Sequence, residues 1–309
     1  MEYQVLGSSN LKVSRLCMGG CPMGGHGWGA DIIEADLLDS VRTALDVGVN
    51  FFDTADVYGL GKSEELLGRA LSRNRQDAVI ATKFGVRYEN GKSKYDNSPD
   101  WITHSLEGSL KRLGTDYIDL YQIHYRDTTP LDEVIRCLEK HKESGKIRYI
   151  GVTNLKSVDE IKGYEQYFVS TQNEFSLANR NNELLLRTLY SDYLLSPMTW
   201  GSLGQGILSG KYDENTVFSE NDRRSRQIYV NFHGQKLVQN LQIVSGLKNI
   251  AGKYGVPIPA VAIRWILDRL ESSIVLVGIK HPNQIIENVK AFNWFLTPEE
   301  LQHLNQLSQ

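Results

Sequence analysis

Short apolar runs alternate along the chain with longer stretches in which apolar residues recur every three to four positions. Apolar runs near residues 16, 51, 80, 120, 149, 170, 198 and 275 read as strands. The helical period between and after them predicts helices over 34–47, 63–71, 99–113, 131–144, 155–162, 182–193, 235–253, 259–270, 282–292 and 298–307. In the first of these, Leu37, Leu38, Val41, Leu45 and Val47 keep the spacing, and Gly48 follows the end. Ahead of the first strand, residues 3–6 and 12–14 flank Gly7-Ser8-Ser9-Asn10 and predict a β-hairpin. Strands that alternate with helices imply a parallel sheet. This rhythm predicts an α/β fold, a (β/α)8 TIM barrel formed as one domain over 1–309, with extra helices near the C-terminus. Only 201–234 is too long for an ordinary connection, which marks it as a functional or mobile loop.

Composition narrows the class. Of 309 residues, 41% are hydrophobic and 23% charged, with a net charge of −3 and no basic stripe, so no nucleic-acid partner is expected. Cys17, Cys21 and Cys137 lack a paired spacing and suit a reducing compartment, which predicts a cytoplasmic protein. Met1-Glu2-Tyr3-Gln4 lacks a signal-peptide pattern. No apolar run reaches the roughly 20 residues of a membrane span, so no membrane partner is expected. The sequence does not specify an oligomeric state.

One motif points elsewhere. Gly25-His26-Gly27-Trp28-Gly29-Ala30 follows G-x-G-x-x-A, and Asp53 ends the next strand, which outlines a Rossmann dinucleotide fingerprint. That fingerprint needs the strand to run straight into its first glycine. Here residues 20–24, with Pro22 among them, intervene, so the glycines are expected to form a flexible first loop.

In a barrel of this kind the active site lies where the strands end. The polar residues at those ends are Asp53, Lys83, His124, Asn154 and Gln172, with Tyr58 in the loop beyond Asp53. Each has a structural reading by itself: a capped turn, a solvated cation, a core histidine, an ordinary cap. Together they suit one task. A tyrosine titrates near pH 10, and a neighbouring ammonium lowers that value. Lys83 supplies the ammonium, Asp53 would hold it charged, and His124 would donate a hydrogen bond to a substrate oxygen. Such a site protonates a carbonyl oxygen as it gains negative charge.

Asn50-Phe51-Phe52-Asp53-Thr54-Ala55-Asp56-Val57-Tyr58-Gly59, residues 110–124 ending in His124, 145–154 ending in Asn154, and 204–212 together resemble the signatures of the aldo-keto reductases. The resemblance spans the chain and is nearest the bacterial general-reductase branch. It implies a catalytic set of Asp53, Tyr58, Lys83 and His124, and hydride transfer between NADP(H) and an aldehyde, ketone or sugar-like carbonyl. It places Thr153, Asn154 and Gln172 at the nicotinamide carboxamide and Trp200 against the ring. Gly201, Ser202, Leu203, Gly204 and Gln205 would follow the pyrophosphate, and Gly206 to Lys211 would continue around the cofactor. Gly278, Ile279, Lys280, Gln284 and Asn288 would take the adenosine phosphate. Lys280 offers a point charge without the fork of an arginine, and NADP(H) is expected over NAD(H). Gly20-Cys21 and Tyr125 depart from the family pattern at the substrate mouth, where Trp28, Tyr88, Tyr125 and Tyr229 are candidate pocket aromatics. Arg223, Arg224 and Arg226 are either pyrophosphate ligands or a solvated basic face. The same fold also serves as a cofactor-binding regulatory subunit of a membrane channel; the short stretch before Tyr3 argues against that alternative. A Schiff-base lyase built on Lys83 is disfavoured, because Asp53 would keep the lysine protonated.

Overall fold

The computed structural model describes residues 1–309 apart from His26, Ala30, Asp31 and Asn90, so that part of the glycine motif lies outside the described residues. Eight parallel strands close into a barrel: β1 (Leu16–Gly19), β2 (Phe51–Asp53), β3 (Val79–Phe84), β4 (Ile118–Ile123), β5 (Ile147–Thr153), β6 (Phe168–Glu174), β7 (Ser196–Trp200) and β8 (Ile274–Gly278). Strands adjacent in sequence are adjacent in the ring, and β8 pairs with β1 to close it. The expected hairpin, Tyr3–Val5 with Lys12–Ser14, precedes β1. Asn50 ties it to β2, its Oδ1 accepting from Ser14 N at 2.7 Å and its Nδ2 donating to Lys12 O at 3.0 Å.

Helices α1 (Glu34–Asp46), α2 (Lys62–Leu71), α3 (Pro99–Leu113), α4 (Leu131–Glu143), α5 (Glu183–Tyr193), α6 (Gly234–Tyr254), α7 (Ile258–Arg269), α8 (Pro282–Asn288) and α9 (Pro298–Leu307) complete the fold. Helix α3 shows how the sequence sets such an element. Ser98 caps it by accepting from Trp101 N at 3.4 Å, Pro99 opens its first turn, and Gly114 ends it with φ at 63°. Its buried stripe is Ile102, Leu106, Leu110 and Leu113.

Three elements differ from expectation. Residues 155–162 form a 3-10 turn, Val158–Ile161, followed by another at Glu165–Tyr167. Ser157 and Glu160 cap the first turn reciprocally and Gly163, with φ at 83°, breaks the chain before a longer helix can grow. Helix α8 stops at Asn288 and passes into a 3-10 turn, Val289–Ala291. An unexpected antiparallel hairpin joins Val86–Glu89 to Lys92–Tyr95. Its second strand is exposed at every position, so no apolar alternation marked it.

Side chains alternate in and out along each strand. Cys17, Phe51, Ala81, Leu120, Val169, Met198, Ile274 and Leu276 form one apolar cluster with Leu6, Leu11 and Val13 of the hairpin. Two residues beyond Phe51, Ala81 and Leu120, on the same face, stand Asp53, Lys83 and Gln122. The lumen is therefore apolar towards the hairpin and polar where the strands end. Among the described residues, no helix is long and apolar enough to cross a membrane, and no His, Cys, Asp or Glu cluster has metal-site geometry.

Candidate active site

The polar layer centres on Asp53. Lys83 Nζ donates to Asp53 Oδ1 at 2.5 Å, to Thr54 O at 2.9 Å and to Tyr58 Oη at 3.4 Å. Both members of the ion pair are buried, Lys83 at 1% exposure and Asp53 at 3%. The other carboxylate oxygen, Oδ2, accepts from Gln122 Nε2 at 3.0 Å and Gln172 Nε2 at 2.8 Å. Gln122 was not singled out from the sequence, because it precedes the end of its strand. The signal that could have found it is the alternation that sends Leu120 and Gln122 to the same face.

Tyr58 sits on the β2–α2 loop, and a close backbone approach sets that loop. A Cβ on Gly24 would lie 2.7 Å from Gly59 N, and one on Gly59 (φ 62°) would lie 2.3 Å from Gly24 O. Only glycines let the first loop rest on the tyrosine loop this closely. The phenol does not follow the expected downward shift. Burial pushes Tyr58 well above the usual tyrosine range, and Cys21 and Asp53 add to the rise. The Lys83 ammonium, shared with Asp53, does not outweigh desolvation. The phenol therefore keeps its proton, the form a proton donor requires.

Asp56, in the same loop, is pushed up to about 7, first by burial and next by Glu64, against the pull of Arg112. Glu64 is itself buried and accepts from Thr82 Oγ1 at 2.6 Å and Arg112 Nε at 2.7 Å. Asp56 binds its proton more tightly folded than unfolded, so ionising it lowers stability as pH rises from about 4 to about 7. Asp56→Asn is expected to raise Tm clearly at pH about 8 and hardly at pH about 4. Thermal melts at both values check this, and an equal rise at each would assign the effect to packing.

His124 follows β4. Its backbone N donates to Phe84 O at 2.8 Å, and its carbonyl accepts from Thr153 Oγ1 at 2.5 Å and Asn154 Nδ2 at 3.0 Å. The ring stacks on Tyr125 with centroids 5.0 Å apart, and Tyr125 stacks on Tyr95 at 4.7 Å. The unexpected hairpin thus braces the histidine through Tyr125. Burial, with help from the Lys83 charge, lowers His124 well below the usual histidine value, so the ring is neutral near pH 7. Asn154 adopts φ of 58°, uncommon outside glycine, and its Oδ1 accepts from Trp200 Nε1 at 3.0 Å. That bond fixes the indole at the rim of the site.

A cleft of about 1190 Å³ opens over this layer. Asp53, Tyr58, His124, Asn154, Gln172 and Trp200 line its floor and near wall. Gly201, Ser202, Leu203, Gln205, Gly206 and Lys211 line the β7 side, and Gly278, Lys280 and Gln284 the β8 side. Of the residues expected at the catalytic or cofactor site, Lys83, Thr153, Gly204, Ile207, Leu208, Gly210, Ile279 and Asn288 do not line it. Lys83 lies buried behind Tyr58, Thr153 turns its hydroxyl to the His124 carbonyl, and Ile279 and Asn288 are buried. Trp28, Tyr125 and Tyr229 face the cleft, whereas Tyr88 lies on the hairpin, outside the lining and 56% exposed. Glu174 and Asn231 were missed from the sequence; they accept from and donate to the two ends of Gln205, at 3.0 and 2.6 Å. Gln205 has φ of 56°, and these bonds hold it there.

The long segment after β7 crosses to the first loop. Arg223 N donates to Gly27 O at 3.0 Å, and Trp28 meets Tyr229 edge-on with centroids 6.0 Å apart. The three arginines divide in role. Arg223 lines the cleft, Arg226 is exposed, and Arg224 is neither a solvated cation nor a cleft-facing one alone. Its guanidinium bonds Asp222 at 2.8 and 2.5 Å, bonds the Tyr212 hydroxyl and covers the Phe218 ring at 4.6 Å. Opposite, Lys280 Nζ donates to Trp28 O at 2.9 Å, and Gln284 Oε1 accepts from Lys280 N at 2.8 Å.

Comparison with known proteins agrees with this fold. Residues 15–309 match the model of the Aldo/keto reductase family. The chain is 31% identical to the aldo-keto reductase YhdN of Bacillus subtilis (strain 168), over 99% of this chain and 93% of that protein. It is 35% identical to a probable voltage-gated potassium channel subunit beta of Oryza sativa subsp. japonica, over 100% of this chain and 97% of the relative. Among solved structures, the glycerol dehydrogenase from Gluconobacter oxydans superposes with a TM-score of 0.89 at 32% identity, covering 99% of this chain and 94% of that one.

Proposed function

This chain belongs to the aldo/keto reductase family, and we propose that it is an NADP(H)-dependent oxidoreductase that reduces an aldehyde, a ketone or a sugar-like carbonyl to the alcohol. The observation that carries this reading is the buried Lys83, held between Asp53 and the protonated Tyr58 at the floor of the cleft. The surrounding residues fit a nicotinamide cofactor. Gln172 is 3% exposed, lines the cleft and has no partner for its side-chain oxygen, Oε1, among the described residues, so it suits a carboxamide N–H. Trp200 offers a ring fixed by Asn154, and Lys280 brings a cation to the β8 side, where a 2′-phosphate would gain from it.

When bound, the reduced nicotinamide supplies the hydride that reaches the carbonyl carbon. The protein's own residues manage the oxygen. Tyr58 donates its proton to the developing alkoxide, and the Lys83 ammonium stabilises the phenolate left behind. Asp53 keeps that ammonium in place. His124, neutral and fixed by the aromatic stack, carries one N–H and orients the carbonyl by donating it.

Steady loss of reduced-nicotinamide absorbance with a panel of aldehydes, measured with NADPH and NADH in parallel, tests the reading. Turnover faster with NADPH is expected; rates no greater than an aldehyde-free blank across the panel would sink it. A regulatory, cofactor-binding subunit is the second reading, favoured by the 35% identity to a potassium channel beta subunit. Tight NADP(H) binding without turnover on any carbonyl would select it.

A further inference from the structure

We propose that Arg223 sets the substrate class: its guanidinium holds a carboxylate on the carbonyl compound, favouring oxo acids over neutral aldehydes of the same shape. The proposal rests on the reductase reading above and deepens it. Arg223 lines the cleft and is half-buried. Its guanidinium covers the Trp28 ring at 5.7 Å and has no hydrogen bond or ion pair among the described residues. Several other charged groups of the site are matched: Asp53 holds Lys83, Asp222 holds Arg224, and Glu183 holds Arg180. A partly desolvated cation without a carboxylate partner, facing a cleft, is a ready site for an anion.

Arg223 and Arg224 are neighbours that face different walls. Arg224 turns to the β7 side, where a Cβ at Gly206 would lie 3.8 Å from its Nη1 and the Tyr212 hydroxyl accepts from it. Arg223 turns to the first loop. Its N donates to Gly27 O at 3.0 Å, and a Cβ at Gly27 (φ 78°) would lie 2.5 Å from its Cγ and 2.7 Å from its Nε. Glycine there lets the arginine stem lie along the loop. Cys21 and Trp28 belong to the same wall, with Tyr229 edge-on to Trp28. Burial pushes the Cys21 thiol up, and the Arg223 charge opposes that rise more than the Lys83 charge does. Cys21 in turn is the first charged influence on Tyr58 after burial. Such influence falls with distance, so the guanidinium stands on the Tyr58 side of the cleft.

This arrangement suits a small substrate with two functional groups. With the carbonyl oxygen at Tyr58 and His124, a short chain or one ring running past Cys21 would carry a carboxylate to Arg223. The guanidinium fork matches the two oxygens of a carboxylate, and the Trp28 and Tyr229 rings beside it lower the local polarity, which strengthens the pair. The carboxylate itself takes no part in the reduction. The carbonyl carbon gains the hydride from the reduced nicotinamide, its oxygen gains the Tyr58 proton, and the product is a hydroxy acid.

The test measures kcat and KM, with NADPH, for para-carboxybenzaldehyde and para-formylbenzamide, which share a shape and differ in charge. The full chain is used as wild type, Arg223→Gln and Arg226→Gln; Arg226 is exposed and serves as the charge-matched control. Glutamine keeps most of the stem, and the backbone bond to Gly27 O does not depend on the side chain. In Arg223→Gln the ratio of kcat/KM, carboxylate over amide, is expected to fall at least about tenfold, mainly through the KM of the carboxylate. In Arg226→Gln it is expected to hold within about twofold. A ratio unchanged in Arg223→Gln, or lowered as much in Arg226→Gln, overturns the proposal. An unchanged ratio with weaker NADPH binding in Arg223→Gln would give the guanidinium to the cofactor, overturning the proposal while the reductase reading stands. Wild type that reduces other aldehydes but not para-carboxybenzaldehyde also overturns it. Wild type that reduces no aldehyde takes the reductase reading down and this proposal with it.

Discussion

Tyr58→Phe is expected to lower kcat/KM for carbonyl reduction by about 10²–10⁴-fold, the usual contribution of a positioned general acid. The fold should survive, because Lys83 keeps its bonds to Asp53 Oδ1 and Thr54 O when the longer 3.4 Å contact to the phenol is lost. The expected stability change is about 1 kcal/mol or less. Cofactor affinity should hold within about twofold, since the hydroxyl serves the carbonyl and not the nicotinamide. Wild type carries a further expectation. With burial holding the phenol well above its ordinary range, the donor form persists as pH rises, so kcat should not fall through the neutral range on account of Tyr58. Stopped-flow reduction of one aldehyde by both proteins, over a pH series, measures all of this. Equal rates in the two proteins would remove Tyr58 from the chemistry; no turnover in either would leave the cofactor-binding reading in its place.

The barrel was legible because its signal is repeated. Eight short apolar runs separated by helical periods leave little else for the chain to form, and the strands appear where those runs lie. The ion pair was legible for a related reason: Asp53 and Lys83 each follow directly on an apolar run, so position alone put them at strand ends on one face. What failed to show was whatever depends on the other side of a contact. Gln122 carries no mark in its own strand beyond a period of two; its importance comes from Asp53 and Gln172, distant in sequence. The Val86–Glu89 and Lys92–Tyr95 hairpin is exposed and polar, and it matters only through Tyr95 stacking on Tyr125. The direction of the Tyr58 shift was misjudged because an adjacent ammonium is visible in the sequence, whereas the depth of burial is not. Thr153, Ile279 and Asn288 lie at the expected positions and still do not line the cleft, since a strand position fixes the backbone and not the partner a side chain finds.

Lys83→Met is expected to cost both stability and rate, and the two losses can be separated. The ammonium is 1% exposed and is the cation paired with a carboxylate that is 3% exposed. Removing one partner of such a pair leaves a buried charge uncompensated, at a cost of about 3–5 kcal/mol. The amides of Gln122 and Gln172 still donate to Asp53 Oδ2, which argues for the lower end of that range. Adding Asp53→Asn removes the stranded charge while keeping an acceptor for those amides. The double variant is therefore expected to regain more than half of the lost stability in denaturant unfolding. Activity should not return with it, because neither variant has a cation beside Tyr58, and both should remain about 10²-fold or more below wild type. Tyr58→Phe placed on Lys83→Met should add little further loss, since the two residues act as one proton-donating unit. A double variant as unstable as Lys83→Met alone would show that the ammonium's other hydrogen bonds, to Thr54 O and Tyr58 Oη, matter more than the stranded charge. That result would leave the proton-donor assignment standing but strip Asp53 of its role in holding Lys83.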